Sequence, residues 1–184
     1  MTPDESPLRI AVLIGSTREG RAGLEVGEWF TERASRRADV EASVLDLAGY
    51  GFPDRYPGTA TAEMTDFTAR IGAAEGFVVV TPEYNRSFPA SLKQAIDYAY
   101  DEWHAKPVGF VSYGCRSAGL FAVEQLRVVF TELHTVTVRD TVSFNLFDER
   151  GTDAVALSVD NMLDQLTWWG RALRVARASH PYVS

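Results

Sequence analysis

The chain has 184 residues, 46% of them hydrophobic and 23% charged, enough for one domain with a full core and typical of an ordinary globular protein. A net charge of -7 and a pI of about 5.0 exclude a broad basic surface for nucleic acid and disfavour an anionic membrane surface. Cys115 is the one cysteine, so neither an internal disulfide nor a cysteine-built zinc set can form. No apolar run reaches the roughly 18 residues of a membrane span. The start, Met1-Thr-Pro-Asp-Glu-Ser6, is acidic and unlike a signal peptide, so a cytoplasmic protein is expected.

Residues 1–6 read as a loose tail. The apolar run Ile10 to Ile14 predicts a buried strand over about 8–14, stopped by Gly15. Ser16, Thr17, Arg18, Gly20 and Arg21 follow. A helical pattern over 22–37 then places Ala22, Val26, Trp29, Phe30 and Ala34 on one face. A strand, a polar loop and a helix N-terminus make an anion site from free backbone N–H groups and the positive end of the helix dipole. Ser16 and Thr17 add hydroxyls, Arg18 a bidentate fork and Arg21 a second positive charge. The same pattern also fits a plain polar turn. It is neither G-x-G-x-x-G, since Ser16-Thr17-Arg18 replaces the second glycine, nor a Walker loop, since no G-K-[ST] follows. A mononucleotide therefore suits it better than NAD or ATP.

Val40 to Leu47 predicts a second strand. The long loop from Ala48 to Gly58, rich in aromatics and proline, reads as an ordered excursion or a surface loop. Met64, Phe67, Ile71 and Ala74 mark a second helix. Phe77 to Thr81 is continuously apolar, as in a strand buried on both faces, and runs into Pro82-Glu-Tyr-Asn-Arg-Ser-Phe-Pro89. A third helix starts near Pro89, with Leu92, Ala95, Ile96 and Ala99 inward. Val108 to Ser112 is another central strand, ending in Tyr113-Gly-Cys-Arg-Ser-Ala-Gly119. Ser117 is the expected N-cap of a fourth helix carrying Ala118, Ala122, Leu126, Val129, Phe130 and Leu133 on its inner face. Thr135 to Val138 alternates as an edge strand. In 139–152 the pattern is weakest, and Val142, Phe144, Leu146 and Phe147 pack or pair. A fifth helix spans about 153–178, with Val155, Val159, Met162, Leu163, Leu166, Trp169 and Leu173 inward; Trp168-Trp169 seals the core, the default reading, or a partner contact.

Alternating strands and helices demand a parallel sheet with helices on both faces. The expected architecture is one doubly wound α/β domain with five strands in the flavodoxin-like order 2-1-3-4-5. Ligands of such sheets sit at the carboxyl ends of the strands. Loops 15–21, 82–88 and 112–117 leave those ends. The first offers a phosphate cradle, the second Tyr84, Asn85 and backbone amides, and the third Ser112, Gly114 and Ser117. A phosphate at one end and a planar hydrogen-bonding ring at the other describe FMN, although each loop taken alone also reads as a polar βα turn.

Other chemistries fit less well. Gly114-Cys-Arg-Ser-Ala-Gly119 is not a nucleophile elbow, because Cys115 stands where G-x-S-x-G needs glycine. His104, His134 and His180 are too scattered for a metal site. Cys115 reads as a small buried filler. A receiver domain needs an aspartate at the end of the third strand, where Thr81-Pro82 stands.

Gly15-Ser-Thr-Arg-Glu-Gly-Arg21, Thr81 to Asp97 and Ser112 to Gly119 together resemble the NADPH-dependent FMN reductases, a family of flavin, quinone, azo-dye and chromate reductases. The stretch Pro82-Glu-Tyr-Asn with Pro89-x-x-Leu-Lys-x-Ala-Ile-Asp97 is the most specific part. The resemblance implies FMN as cofactor, NADPH or NADH as donor, and a small-molecule acceptor. It implies that Ser16 and Arg18 hold the phosphate, with Thr17 and Arg21 close by. Pro82, Glu83, Tyr84 and Asn85 would run along the ribityl chain and ring, and Ser112, Tyr113 and Gly114 would border the ring's pyrimidine side. Lys93 and Asp97 would be structural. No catalytic side chain is implied, since the protein supplies position and electrostatics to the flavin. A homodimer or homotetramer is implied. Two departures stand out: no serine or asparagine follows Arg21, and Ser117-Ala118-Gly119 replaces S-G-G. The alternative is a flavin-binding redox sensor or electron-transfer module that docks a protein partner.

Overall fold

The computed structural model describes residues 6–147 and 152–183. The expected tail, Ser6 apart, lies outside the described residues. In chain order the elements are β1 (Leu8–Ile14), α1 (Gly23–Ala34), β2 (Val40–Asp46), α2 (Ala62–Ala73), β3 (Gly76–Pro82), α3 (Ala90–Ile96), β4 (Pro107–Gly114), α4 (Leu120–Glu132), β5 (Val136–Thr137), β6 (Val142–Asn145) and α5 (Asp153–Ser179). The sheet is parallel, in the order β2-β1-β3-β4-β5. This is the flavodoxin-like arrangement.

The fifth position is split. β5 pairs with Pro107 and Val108 at the start of β4, and β6 pairs with Val111 to Gly114 at its end. Between them the chain leaves the sheet. Arg127 donates to the carbonyls of Val138 (2.7 Å) and Arg139 (2.8 Å), and Gln165 accepts from the Asp140 N–H (3.1 Å). Two charged residues in mid-strand break the alternation, so only the first half reads as a strand.

β3 is buried at all seven positions, as an apolar strand covered on both faces must be. On one face α1 and α5 pack Val26, Phe30, Val159, Met162 and Leu166 against Leu8, Ile10, Val12, Val78 and Val80. On the other, α2, α3 and α4 bring Phe67, Ile71, Leu92, Leu126 and Phe130 to Leu13, Phe77, Val79 and Phe110. Trp103 fills the middle of that layer, and its indole N–H donates to Ile96 O at 3.1 Å.

Several local expectations change. α1 stops at Ala34 rather than 37, because Arg37 turns to pair with Asp39 at 2.9 Å. Gly119, not Ser117, stands at the N-cap of α4, with φ of 85°. A Cβ there would lie 2.7 Å from the Ser112 Cβ and 2.8 Å from the Tyr113 nitrogen, so only glycine fits. Ala118, expected on the inner face, belongs to the preceding loop. Trp168 and Trp169 are not core residues; they are 65% and 38% exposed. At that level Gly170 faces inward, where a Cβ would come within 2.2 Å of Leu8 Cδ2. The 48–58 loop is ordered by its aromatics. Tyr50 stacks on Phe52 at 5.1 Å, Phe52 meets Phe67 and Tyr98, and the Pro53 carbonyl accepts from Gln94 at 2.6 Å. Among the described residues no helix is long and apolar enough to cross a membrane.

Candidate cofactor cleft

β1, β3 and β4 end at the same edge of the sheet, with β1 stopping two residues short of β3: Ile14 pairs with Val80, Val80 with Val111, and Pro82 with Tyr113. The chain leaves β1 toward one face of the sheet and β3 toward the other, and the crevice opens between these two departures. It holds a cavity of about 370 Å³ lined by Ser16, Arg18, Gly20, Arg21 and Ala22 from the first loop, Pro82, Glu83 and Tyr84 from the second, and Tyr113, Gly114, Cys115 and Leu146. That volume is within the range of about 300–1,000 Å³ for small-molecule sites. Thr17, Asn85 and Ser112 are not brought to its wall.

The first loop is fixed from below. A Cβ on Gly15 would lie 2.8 Å from Leu92 Cδ2, so glycine lets α3 approach. Ser16 is buried, and its hydroxyl lies 3.2 Å from the Tyr84 hydroxyl. No side chain caps the first turn of α1, so those N–H groups are available to a ligand or water. This matches the missing serine or asparagine after Arg21. The two arginines behave differently. Arg21 donates to both Asp46 carboxylate oxygens (2.6 and 2.5 Å) and to Ser16 O (2.8 Å). The Asp46 hydrogen bonds hold its guanidinium above its ordinary pKa. Arg21 is thus a clamp between the loop and β2. Arg18 is exposed and makes no hydrogen bond or ion pair with any described residue.

The second loop is a tight turn. Tyr84 and Ser87 exchange backbone hydrogen bonds of 2.8 and 3.0 Å across Asn85 and Arg86, whose φ angles are 51° and 66°. Asn tolerates the left-handed region, whereas Arg does so rarely. α4 holds the turn down. Gln125 donates to Arg86 O (2.8 Å) and accepts from the Ser87 hydroxyl (2.5 Å). The Glu83 carboxylate accepts from the Phe121 N–H in the first turn of α4 at 3.1 Å. Glu83 is therefore a helix-terminal acceptor as well as a cleft residue.

The third loop hangs from β4. Ser112 is buried; its hydroxyl donates to Ala118 O (2.9 Å) and meets the Ser143 hydroxyl at 2.8 Å. It braces the loop from behind. Leu146 N–H donates to Gly114 O at 2.9 Å, and the Asn145 amide donates to Cys115 O. Cys115 is exposed on the cleft wall rather than buried, because Tyr113 occupies the last inward position of β4 and the chain turns out at Gly114. The Tyr113 hydroxyl is buried and makes no hydrogen bond of good geometry with any described residue, although the Ser16 hydroxyl lies near it. Burial pushes its phenol well above the ordinary tyrosine range. Gly23 makes room for it, since a Cβ there would stand 2.8 Å from that oxygen. Asp46, Gln125 and Asn145 escaped the sequence reading: each is a lone polar residue on another element, and only the fold brings it to these loops.

The family model of the NADPH-dependent FMN reductases matches residues 8–149. The chain belongs to this family. Similar members include an NAD(P)H-dependent FMN reductase of Schizosaccharomyces pombe, 35% identical over 120 residues that make up 60% of each chain. A 2-hydroxy-1,4-benzoquinone reductase of a Burkholderia species is 29% identical over 158 residues, 80% of this chain and 83% of that protein. The chain thus spans about 60% of the length of the S. pombe relative. Among solved structures, the flavoenzyme NAD(P)H:(acceptor) oxidoreductase FerB of Paracoccus denitrificans superposes with a TM-score of 0.76 at 20% identity, covering 90% of this chain and 98% of that one. At that identity the likeness is one of fold.

Proposed function

We propose that this chain is an FMN-dependent NAD(P)H oxidoreductase that passes electrons from NADPH or NADH to a small acceptor such as a flavin or quinone. One observation carries the reading. An arginine with no side-chain partner among the described residues, the buried Ser16 hydroxyl paired with that of half-buried Tyr84, and an uncapped helix N-terminus adjoin a cavity that Pro82 and Gly114 also line. The residues fit FMN, and the buried Tyr113 hydroxyl, which has no well-formed hydrogen bond among the described residues, supports a polar ligand group beside it.

In this reading Arg18, Ser16 and the α1 N–H groups hold the phosphate, with Thr17 at the loop tip and Arg21 keeping the loop in register. Pro82, Glu83 and Tyr84 border the ring and ribityl chain, and Asn85, outside the wall, shapes the turn that carries them. Tyr113 and Gly114 form the floor, and Ser112 positions them from behind. FMN when bound supplies hydride acceptance and onward electron transfer. The protein's task is to orient the donor and acceptor. Glu83 is engaged by the Phe121 N–H, which argues against its use as a proton carrier. Self-association as a homodimer or homotetramer belongs to the proposal. Leu157, Trp168 and Val175, all exposed and on one stripe of α5, support it. A cytoplasmic setting fits the single thiol.

The test is steady-state turnover of the FMN-loaded protein with NADPH and a panel of quinones and free flavins. Rapid multiple turnover supports a reductase. Tight FMN with turnover no faster than air oxidation of the cofactor points to a sensor or electron carrier instead.

A further inference from the structure

The rim of the cleft carries two more arginines that the cofactor reading does not use. Arg86 tips the turn between Tyr84 and Ser87, and Arg116 follows Cys115 on the cleft wall. Both are exposed, and neither guanidinium makes a hydrogen bond or ion pair with any described residue. Arg21, Arg37 and Arg174, by contrast, are held by Asp46, Asp39 and Glu75. On a chain of net charge -7 the free cations at this edge oppose the overall sign.

Arg86 is also held in place. Its backbone sits at φ of 66°, a conformation that an arginine adopts only when its surroundings impose it. Gln125 supplies that constraint by binding Arg86 O and the Ser87 hydroxyl. Its guanidinium lies 4.0 Å from the centre of the Phe121 ring. Stacking on a ring face fixes the guanidinium plane while leaving its N–H edge open. The nearest acidic neighbour in sequence, Glu83, is turned to the Phe121 N–H. The result is a preoriented, solvent-facing fork with no ion-pair partner among the described residues, two residues from the Tyr84 wall of the cavity.

We infer that Arg86, with Arg116 of the third loop as a second exposed cation next to a lining residue, receives a phosphate group of the reduced nicotinamide nucleotide. This inference rests on the redox reading above and assigns it a donor-binding residue. A planar fork suits a phosphate bidentately. A nucleotide whose nicotinamide reaches the cavity must extend its phosphates over the rim, where these loops lie. The phosphate is either the pyrophosphate, common to both donors, or the 2′-phosphate, found on NADPH alone. Phe121 acts as a positioning residue under the guanidinium.

The experiment compares wild type with Arg86→Ala, Arg116→Ala, Arg86→Lys and Phe121→Leu. Arg171→Ala, which removes the same charge from the distant end of α5, is the control. Binding of ADP and of 2′,5′-ADP is measured by calorimetry, and KM and kcat are measured with NADPH and NADH. The inference predicts that Arg86→Ala weakens nucleotide binding and raises KM by about tenfold or more, the loss of a charged hydrogen bond. FMN affinity and kcat should hold. Arg86→Lys should recover part of the loss, and Arg171→Ala should match wild type. Loss confined to NADPH and 2′,5′-ADP assigns the 2′-phosphate; loss with all four ligands assigns the pyrophosphate. Wild-type constants for Arg86→Ala with all four overturn the inference while leaving the redox reading standing. Failure of the wild type to take up FMN refutes the redox reading itself.

Discussion

Arg18 and Arg21 stand three residues apart, and the structure gives them opposite tasks, so replacing each should separate binding from stability. Arg18 has no hydrogen-bond or ion-pair partner among the described residues, so Arg18→Ala should leave the stability of the free protein near that of wild type. Its loss should appear in FMN affinity alone: about 1.5–3 kcal/mol for a charged hydrogen bond, or roughly 10- to 150-fold. Arg21 makes two short bonds to Asp46 and one to Ser16 O. Its side chain is 14% exposed and that of Asp46 is 24% exposed, so solvent screens the pair only in part. Discounting the charged-bond range for that exposure gives about 1–2 kcal/mol of folding free energy. For a chain of this length that corresponds to about 2–8 °C in Tm. The assays are a flavin-fluorescence titration and thermal melting of the apoprotein. A wild-type FMN affinity in Arg18→Ala would remove Arg18 from the site. A wild-type melting temperature in Arg21→Ala would refute the clamp.

Tyr113→Phe deletes a buried hydroxyl with no well-formed hydrogen bond among the described residues, so the apoprotein should melt close to the wild-type temperature while FMN binds about 0.5–1.5 kcal/mol more weakly; unchanged FMN affinity would leave that hydroxyl without a role. Gly170→Ala forces a methyl to within 2.2 Å of Leu8 Cδ2 and should cost about 1–3 kcal/mol by denaturant unfolding. Lys106 is buried, and desolvation lowers its pKa to about 8 from its ordinary 10.5. Between those values the unfolded chain holds a proton that the folded one has released, so this group makes stability rise with pH from about 8 to 10.5 and adds nothing above. Stability curves for wild type and Lys106→Met should therefore differ in slope across that window, and parallel curves would contradict the assignment. Gln125→Ala should loosen the turn at 84–87, seen as faster amide exchange at Ser87, whose N–H is bonded to Tyr84 O.

Much of this was legible because apolar runs fix buried strands. Ile10 to Ile14, Phe77 to Thr81 and Val108 to Ser112 can only be central, and their ends locate the cleft. The wall-lining residues at 16, 18, 21, 82–84, 113 and 114 followed from that placement. What stayed hidden depends on contacts between distant residues. Nothing local says that Asp46 claims Arg21, or that Ser143 waits behind Ser112 and turns that hydroxyl from the cleft. Ser117 has the chemistry of an N-cap, but the close approach of Ser112 and Tyr113 leaves the position to Gly119. Trp168 and Trp169 carry the apolar signal of a core, yet the helix turns Gly170 inward because Leu8 leaves no space for more.

The central claim is tested most directly by the visible spectrum of the purified protein after incubation with FMN, followed without oxygen as NADPH is added. The account predicts a tightly bound flavin whose absorbance bleaches on mixing and returns when a quinone is supplied. A protein that binds no flavin, or one whose flavin stays oxidised in excess NADPH and NADH, would contradict it.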